Sequence, residues 1–363
     1  MTQTDARLPS SQHFDHLIYL RVFEGCNLHC QHCFIPSNPK KFEAKRFSTI
    51  PEMLKGKIPK DSTVLIQWHG GEPTLMGVDY IQNGIETLSK DTTYNWRHGI
   101  QTNLMNFSSE WAELYHTHFG SEVGVSWDPK IRLLNKHATN SHEKVKAKFE
   151  ENLEKLMSHD LTPYVVVTAT KTLFKTYKNP FEFFEYWTSK GVEHVHLERV
   201  TQTGYARNNW KFIGLNNNEY STNMARWAKA YKVFKKNNPH TNFFLSPFEN
   251  LMESLQSMKE GIPKAQGCWS GHCDTRFHTI DSGGYKAGCT ALTSEMENKN
   301  AQVPILQNSK FEDKREMRIY NCGECVYRSI CKTGCLALDF DDGSGECSGG
   351  KKMFTTLEKL LEA

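Results

Sequence analysis

The sequence predicts an α/β protein built on a mostly parallel sheet, with a cysteine-rich segment after it. Three observations carry this. Short β-rich runs alternate with helical patterns through six successive units before Pro239, and strands that alternate with helices form parallel sheets with right-handed crossovers. Beyond about residue 240 the character changes, and glycine, cysteine and short strands replace the long βα units. A chain of 363 residues with 38% hydrophobic content is long enough to bury a large core, in one big domain or two. The alternation fits an open barrel of six units and a doubly wound sheet equally well.

The first strand is the apolar run His16–Phe23, which follows a polar tail, 1–14, and leads directly into the loop Cys26–Cys33. Ser62–His69 is a β-rich second strand ending at Gly70-Gly71, and a helix follows over Val78–Leu88. The third strand lies near Asn95–Thr102, and the next helix opens behind the cap-like Ser108-Ser109-Glu110. Glu122–Ser126 is a short fourth strand, and Glu143–Ser158 a charged amphipathic helix of good propensity. Pro163–Thr168 reads as a buried strand, Phe181–Ser189 as a helix and His194–Val200 as the sixth strand. Tyr220–Lys236 is a long helix stopped by Pro239. The expected divisions are 15–240 for the βα part, 241–348 for a bridging and cysteine-rich part, and 349–363 for a C-terminal helix. In that helix Met353, Phe354, Leu357, Leu360 and Leu361 stand at core-packing spacing.

Formal net charge is +3, from 44 Lys+Arg against 41 Asp+Glu, so no strong field argues for a nucleic-acid partner. The polar start lacks the apolar stretch of a secretory signal, and no run approaches a membrane span. The expectation is a cytoplasmic protein, where eleven cysteines point to metal or catalysis rather than to disulfides.

Cys26-Asn27-Leu28-His29-Cys30-Gln31-His32-Cys33 reads C-x3-C-x2-C. Three thiolates on one short loop hold three irons of a [4Fe–4S] cube and leave the fourth open to a small molecule. Structural zinc takes four ligands with paired C-x2-C spacing, so it fits this loop poorly. Scattering the 11 cysteines at random gives the pattern with a probability of roughly 0.01.

This loop resembles the signature of the radical S-adenosylmethionine (SAM) enzymes. The resemblance implies an open, partial (β/α)6 TIM-like barrel, with ligands at the carboxyl ends of the strands and Cys26, Cys30 and Cys33 on the SAM-binding cluster. His32 stands before the third cysteine, where an aromatic residue is usual, and its ring is expected to pack on adenine. Gly70-Gly71-Glu72-Pro73 matches the family's site for the methionine amine: glycines let backbone approach closely and a carboxylate receives an ammonium. Alone, such a tripeptide is more often a turn. Gln101-Thr102-Asn103 is similar to the family's "TNG" stretch, with Leu104 where glycine is common. Ser126-Trp127-Asp128-Pro129 resembles its "S-x-D-G" stretch, with Ser126 as a ribose ligand and Asp128 as a supporting acid. Arg132 and Lys136 are the candidates for the SAM carboxylate. Glu198-Arg199-Val200 resembles the region that closes over adenine, which places Val200 there. In this family one electron from the cluster cleaves SAM to a 5′-deoxyadenosyl radical, which takes a hydrogen atom from an unactivated carbon.

Eight cysteines follow in the C-terminal third. Between Cys273 and Cys289 the residues read as strand, Asp-Ser-Gly-Gly turn, strand. Gly284-x4-Cys289 with the later C-x2-C-x5-C-x3-C run resembles the SPASM domain, which carries two auxiliary [4Fe–4S] clusters. The resemblance assigns Cys268, Cys273, Cys289 and Cys335 to one and Cys322, Cys325, Cys331 and Cys347 to the other, which accounts for all eleven cysteines and gives three clusters in total. A pair of zinc sites is the alternative.

SPASM-bearing radical SAM enzymes mostly modify peptides or proteins. The implied function is a maturase that forms an intramolecular carbon–carbon or thioether link on a precursor peptide by two-electron oxidation, fed by an electron donor such as flavodoxin or ferredoxin. The alternative is an anaerobic sulfatase-maturing enzyme, which makes formylglycine from Cys or Ser. That family carries an Asp, proposed as a base, directly after the cysteine that is Cys289 here; this chain has Thr290. A non-catalytic iron–sulfur or zinc protein is a second alternative, and it leaves Gly70-Gly71-Glu72 unexplained. No base stands out; His69, Glu198 and Tyr285 are the candidates near strand ends.

Overall fold

The computed structural model describes residues 14–35, 39–138, 140–296 and 311–362. The expected N-terminal tail lies almost wholly outside the described residues. Nine strands are present among them: β1 (His16–Phe23), β2 (Thr63–Gly70), β3 (Asn95–Thr102), β4 (Glu122–Ser126), β5 (Thr162–Ala169), β6 (His194–Arg199), β7 (Phe244–Ser246), β8 (Phe277–Asp281) and β9 (Gly284–Ala287). The chain forms two compact units, Met1–Val165 with Asp274–Ser294, and Val166–Cys273 with Glu295–Ala363.

In the first unit the strands stand in the order β4-β3-β2-β1-β8-β9. β1 pairs with β2 in parallel from His16↔Val64 to Phe23↔Gly70, and β2 with β3, and β3 with β4, in the same sense. The crossovers carry α1 (Ile50–Leu54), α2 (Val78–Ser89), α3 (Ser109–His118) and α4 (His142–Ser158). Leu17, Ile18, Leu20 and Val22 of β1 and Val64, Leu65, Ile66 and Trp68 of β2 are all buried, the near-continuous apolar run of parallel strands covered on both faces. Trp68 meets Phe47 edge-on at 5.7 Å. Gly84 of α2 makes room for it, since a Cβ there would stand 2.4 Å from the indole. Ser108 caps α3 by accepting from the Trp111 N–H, as its position before the helix predicts.

The first unit also contains what the sequence did not announce. β8 lies parallel to β1, Leu17↔Phe277 through Leu20↔Ile280, and turns back through the expected hairpin into β9, closed by Asp281↔Gly284. This pairing draws residues 274–294 into the first unit.

β5 begins in the first unit and ends in the second, where β6 and β7 follow, paired in parallel. The second unit holds α5 (Lys171–Thr176), α6 (Pro180–Ser189), α7 (Tyr205–Ile213), α8 (Asn217–Asn237) and α9 (Phe248–Lys259). Past α10 (Thr290–Met296) come α11 (Phe311–Asn321), α12 (Arg328–Cys331) and α13 (Lys351–Glu362). Its core is aromatic: Phe183 and Phe184 of α6 meet Trp227 of α8 at 5.0 and 5.9 Å. α8 starts earlier than its apolar pattern suggests because Asn216 and Glu219 form a capping box ahead of it. α13 packs on α8 and α9 through Met353, Phe354 and Leu357, which are buried. The Glu346 carboxylate receives the N–H groups of Lys351 and Lys352 at 3.1 and 3.0 Å, an acidic cap at a helix N-terminus. No break falls near residue 240, the expected boundary, because β7 pairs with β6 across it. No helix among the described residues is long and apolar enough to cross a membrane.

Candidate active site and cysteine clusters

The carboxyl ends of β1, β2 and β3 meet at the cysteine loop. The Gly71 N–H donates to the Phe23 carbonyl at 2.7 Å and the Glu72 N–H to the Gly25 carbonyl at 3.0 Å. A Cβ on Gly70 would lie 2.2 Å from the Phe23 oxygen, and one on Gly71 2.2 Å from the Gly25 oxygen. The glycine pair is therefore required by the chain's own backbone passing from β1 into the cysteine loop, and Gly70 also sits at φ +142°.

Glu72 is a buried strut. Its Oε1 accepts from the Thr74 N–H, the Thr74 hydroxyl and the Thr102 hydroxyl at 3.0, 2.7 and 2.7 Å, and its Oε2 accepts from the Asn103 N–H at 2.7 Å. Burial raises its pKa, against the opposing effect of these bonds. The carboxylate thus ties the end of β2 to the end of β3, a role the sequence did not disclose. Asn103 then reaches the cysteine loop, donating to the Asn27 side-chain oxygen at 2.7 Å. Leu104, where the resembling stretch has glycine, adopts φ +58°. That left-handed conformation explains the usual glycine, and the fully buried Leu104 side chain offsets its cost here.

Cys30 is buried against Leu28 and Val145, with Cys26, Cys33 and Met105 partly buried beside them. Burial pushes the Cys26 thiol up to about 11 and raises Cys30 and Cys33 as well. All eleven cysteines are free of disulfides. Three soft sulfurs in an apolar setting, two of them accepting or donating local hydrogen bonds (Leu28 N–H to Cys26 at 3.3 Å, Cys33 to the Ile35 carbonyl at 3.2 Å), are a donor set that fits an iron–sulfur cluster. Among the described residues no three His, Cys, Asp or Glu side chains converge on one single-ion site.

At the end of β4 the Ser126 hydroxyl accepts from the Gln101 side chain at 2.7 Å. Asp128 is buried, and one of its oxygens receives Arg132 through Nε at 2.8 Å and Nη2 at 2.7 Å, with His32 Nε2 at 3.2 Å. His32, Asp128 and Arg132, read separately in the sequence, thus form one buried group.

The three candidate bases have different fates. The Gly70 N–H donates to His69 Nδ1 at 2.8 Å, so the neutral ring carries its proton on Nε2. Burial, with Arg21 nearby, pushes its pKa down to about 3. In that tautomer the Nε2–H of His69 is a hydrogen-bond donor. Tyr285 pairs with Ile280, next to the turn at the carboxyl end of β8, and its hydroxyl meets His278 at 2.9 Å, which meets His16, the first residue of β1, at 3.1 Å. Its backbone thus stands level with Leu20, toward the carboxyl ends of β1 and β8, while its hydroxyl turns back along the strands to His278. Glu198, in the second unit, is held by His196 Nε2 at 3.2 Å, and His196 in turn meets the Ser246 hydroxyl at 2.8 Å. Val200 is buried just beyond it.

The second unit sorts its cysteines by a left-handed turn. Lys332, Thr333 and Gly334 all have positive φ, at 46°, 73° and 74°, between Cys331 and Cys335. Burial raises Cys331, followed by the thiols of Cys347, Cys322 and Cys325. Cys335, also raised chiefly by burial, faces Glu198, Arg199 and Arg318 instead. Cys268 lies 3.8 Å from Glu198, and Cys273 and Cys335 both act on Arg318. Cys347, Cys322 and Cys325 thus act on Cys331, Cys335, Cys322 and Cys273 all act on Arg318, and Cys289 lies in the first unit. Gly349 abuts Cys331: a Cβ there would stand 2.6 Å from its Sγ. A free thiol turns away from such a methyl, but a liganded one cannot. Where Cys331 ligates a four-iron cluster, Gly349→Ala is therefore expected to leave the unloaded chain's melting temperature nearly unchanged and to cost about four reconstituted irons per chain, read by anaerobic iron analysis; full loading would exclude a cluster at Cys331.

No protein-family profile matches the chain. Curated relatives are the cysteine-type anaerobic sulfatase-maturating enzymes of Clostridium novyi, 23% identical over 362 residues and 91% of each chain, and Clostridium perfringens, 23% identical over 345 residues and 86% of each. Among solved structures, anSMEcpe with bound AdoMet and a peptide superposes with a TM-score of 0.64 at 16% identity, over 95% of this chain and 96% of that one. Streptococcus suis SuiB bound to its precursor peptide SuiA gives 0.57 at 13% identity, over 89% of this chain and 72% of that one. The fold class is the one the sequence predicted. Fold, cysteine loop and relatives together define a radical SAM enzyme. Within that class the chain is related to the anaerobic sulfatase-maturating enzymes along nine-tenths of its length.

Proposed function

We propose that this radical SAM enzyme is a peptide maturase that oxidises a precursor peptide by two electrons and closes an intramolecular carbon–carbon or thioether link. Relatives and structural neighbours that act on proteins and bind peptides support a peptide substrate. The observation that carries the cross-linking reading is Thr290. It stands after Cys289, where formylglycine-forming enzymes are expected to hold a carboxylate base, and it is buried in the grip of Arg21, whose Nε and Nη2 donate to the Thr290 hydroxyl at 2.9 and 2.8 Å. Neither a hydroxyl so held nor its arginine accepts a proton at neutral pH.

In this reading Cys26, Cys30 and Cys33 hold the SAM-binding cluster, and the two sets of four cysteines hold auxiliary clusters, three in all. When bound, cluster and SAM supply a carbon-centred radical able to take hydrogen from the substrate. The Gly70–Glu72 turn, Asn103 and Ser126 hold SAM at the strand ends, with Val200 and His32 toward adenine. Arg132 gives its Nε and Nη2 to Asp128 and keeps Nη1, so Arg132 and Lys136, the latter exposed on the same loop, are the two groups for the SAM carboxylate.

The identity of the curated relatives favours a second reading, formylglycine formation. Anaerobic co-expression with short peptides encoded beside this chain, followed by tandem mass spectrometry, separates the two. A peptide two hydrogens lighter, with no aldehyde and no fragmentation between two residues, is expected. Unmodified peptides, with an aldehyde on a sulfatase supplied in parallel, would establish the second reading instead.

A further inference from the structure

We propose that Arg132, oriented by Asp128, is a fixed positive charge on the SAM-binding cluster that favours its reduced state; the inference rests on the assignment of Cys26, Cys30 and Cys33 to that cluster. The cysteine loop is stitched to the segment that carries Arg132. The His29 N–H donates to the Leu133 carbonyl at 2.7 Å and the Gln31 N–H to the Ile131 carbonyl at 3.0 Å. These two bonds flank Cys30 on the loop and Arg132 on the facing segment, and so hold the two residues' backbones side by side.

The arginine is built in rather than free to swing. Its side chain is 11% exposed, and its Nε and Nη2 both bind one oxygen of Asp128, whose side chain is fully buried. His32, next to Cys33 on the loop, approaches that same oxygen at 3.2 Å. Burial opposes the charge on Arg132 itself, but Asp128 and the Cys30 and Cys26 thiols outweigh it and keep the guanidinium ionised.

A cube held by three thiolates is an anion, and reduction adds another negative charge. A buried cation beside it stabilises the reduced form more than the oxidised one. Asp128 offsets part of that effect and keeps the guanidinium in place. Its role here is orientation of Arg132, with the reacting groups touched only through the cluster.

The test is an anaerobic redox titration of the reconstituted enzyme without SAM, followed by electron paramagnetic resonance. The signal missing from the Cys26→Ala, Cys30→Ala, Cys33→Ala chain identifies this cluster. At a fixed potential Arg132→Gln is expected to lower its reduced-to-oxidised ratio about tenfold, equal to 59 mV for one electron. Arg132→Lys should restore most of the loss, and Asp128→Asn should shift the ratio upward. Opposite signs in the Arg132→Gln and Asp128→Asn variants establish a charge effect. Equal shifts of one sign, or no shift in either, would overturn it, as would loss of the cluster from both Arg132 variants. If the triple-alanine chain loses no signal, it is the cysteine assignment that fails, and the two failures are distinguishable.

Discussion

Replacing Cys26, Cys30 and Cys33 together by alanine abolishes release of 5′-deoxyadenosine and removes about four irons per chain, while the fold persists. Each change deletes one sulfur and no backbone–backbone bond, at the cost of the Leu28 N–H contact to Cys26 and the Cys33 contact to the Ile35 carbonyl. Cys30 is the one sulfur of the three that is fully packed, against Leu28 and Val145, and emptying such a site costs about 1 kcal/mol. The backbone bonds of His29 and Gln31 to the 131–133 segment hold the loop in place without the thiols. Circular dichroism should therefore match the parent, and liquid chromatography of the reaction mixture should show no 5′-deoxyadenosine. Continued release would remove the radical mechanism from this chain.

Glu72→Gln gives the other large effect, on stability and SAM affinity together. The carboxylate faces a backbone N–H on each side, Thr74 at Oε1 and Asn103 at Oε2. An amide presents an NH2 to one of them in either orientation, and a backbone N–H cannot turn away as the Thr74 and Thr102 hydroxyls can. A buried donor left facing a donor costs about 1–3 kcal/mol. Unfolding by urea under anaerobic conditions should show the loss. Because the same bonds join the ends of β2 and β3 beneath the proposed SAM site, SAM affinity is expected to fall about tenfold or more. Normal stability and affinity together would show that the strut is dispensable.

The strands and the cysteine sets were legible because their signals are local. β-branched and apolar runs mark β1, β2 and β5, and fixed spacings mark Cys26–Cys33 and Cys322–Cys335. What the sequence withheld depends on partners far along the chain. Nothing in Phe277–Asp281 announces that its neighbour is β1, some 260 residues earlier. Glu72 reads as a ligand because a carboxylate beside two glycines looks available, and only the fold shows four donors already on it. β7 and α5 are too short, and α7 too polar, to give a periodic signal. The His32–Asp128–Arg132 group had a signal of a kind, a histidine in an aromatic's position and an arginine four residues after an aspartate, but no periodicity joins residues 32 and 128.

The parallel pairing of β8 with β1 also orders events in time. A ribosome makes β1 well before its second neighbour, residues 277–281, some 260 positions later. The polar edge of β1 stays open through most of translation, and Arg21 waits equally long for the Thr290 and Thr293 hydroxyls. Non-local parallel pairings of this kind form slowly. The segment thus emerges with Cys26, Cys30 and Cys33 in place but its sheet unfinished, and a settled loop waits on the synthesis of residues 277–293.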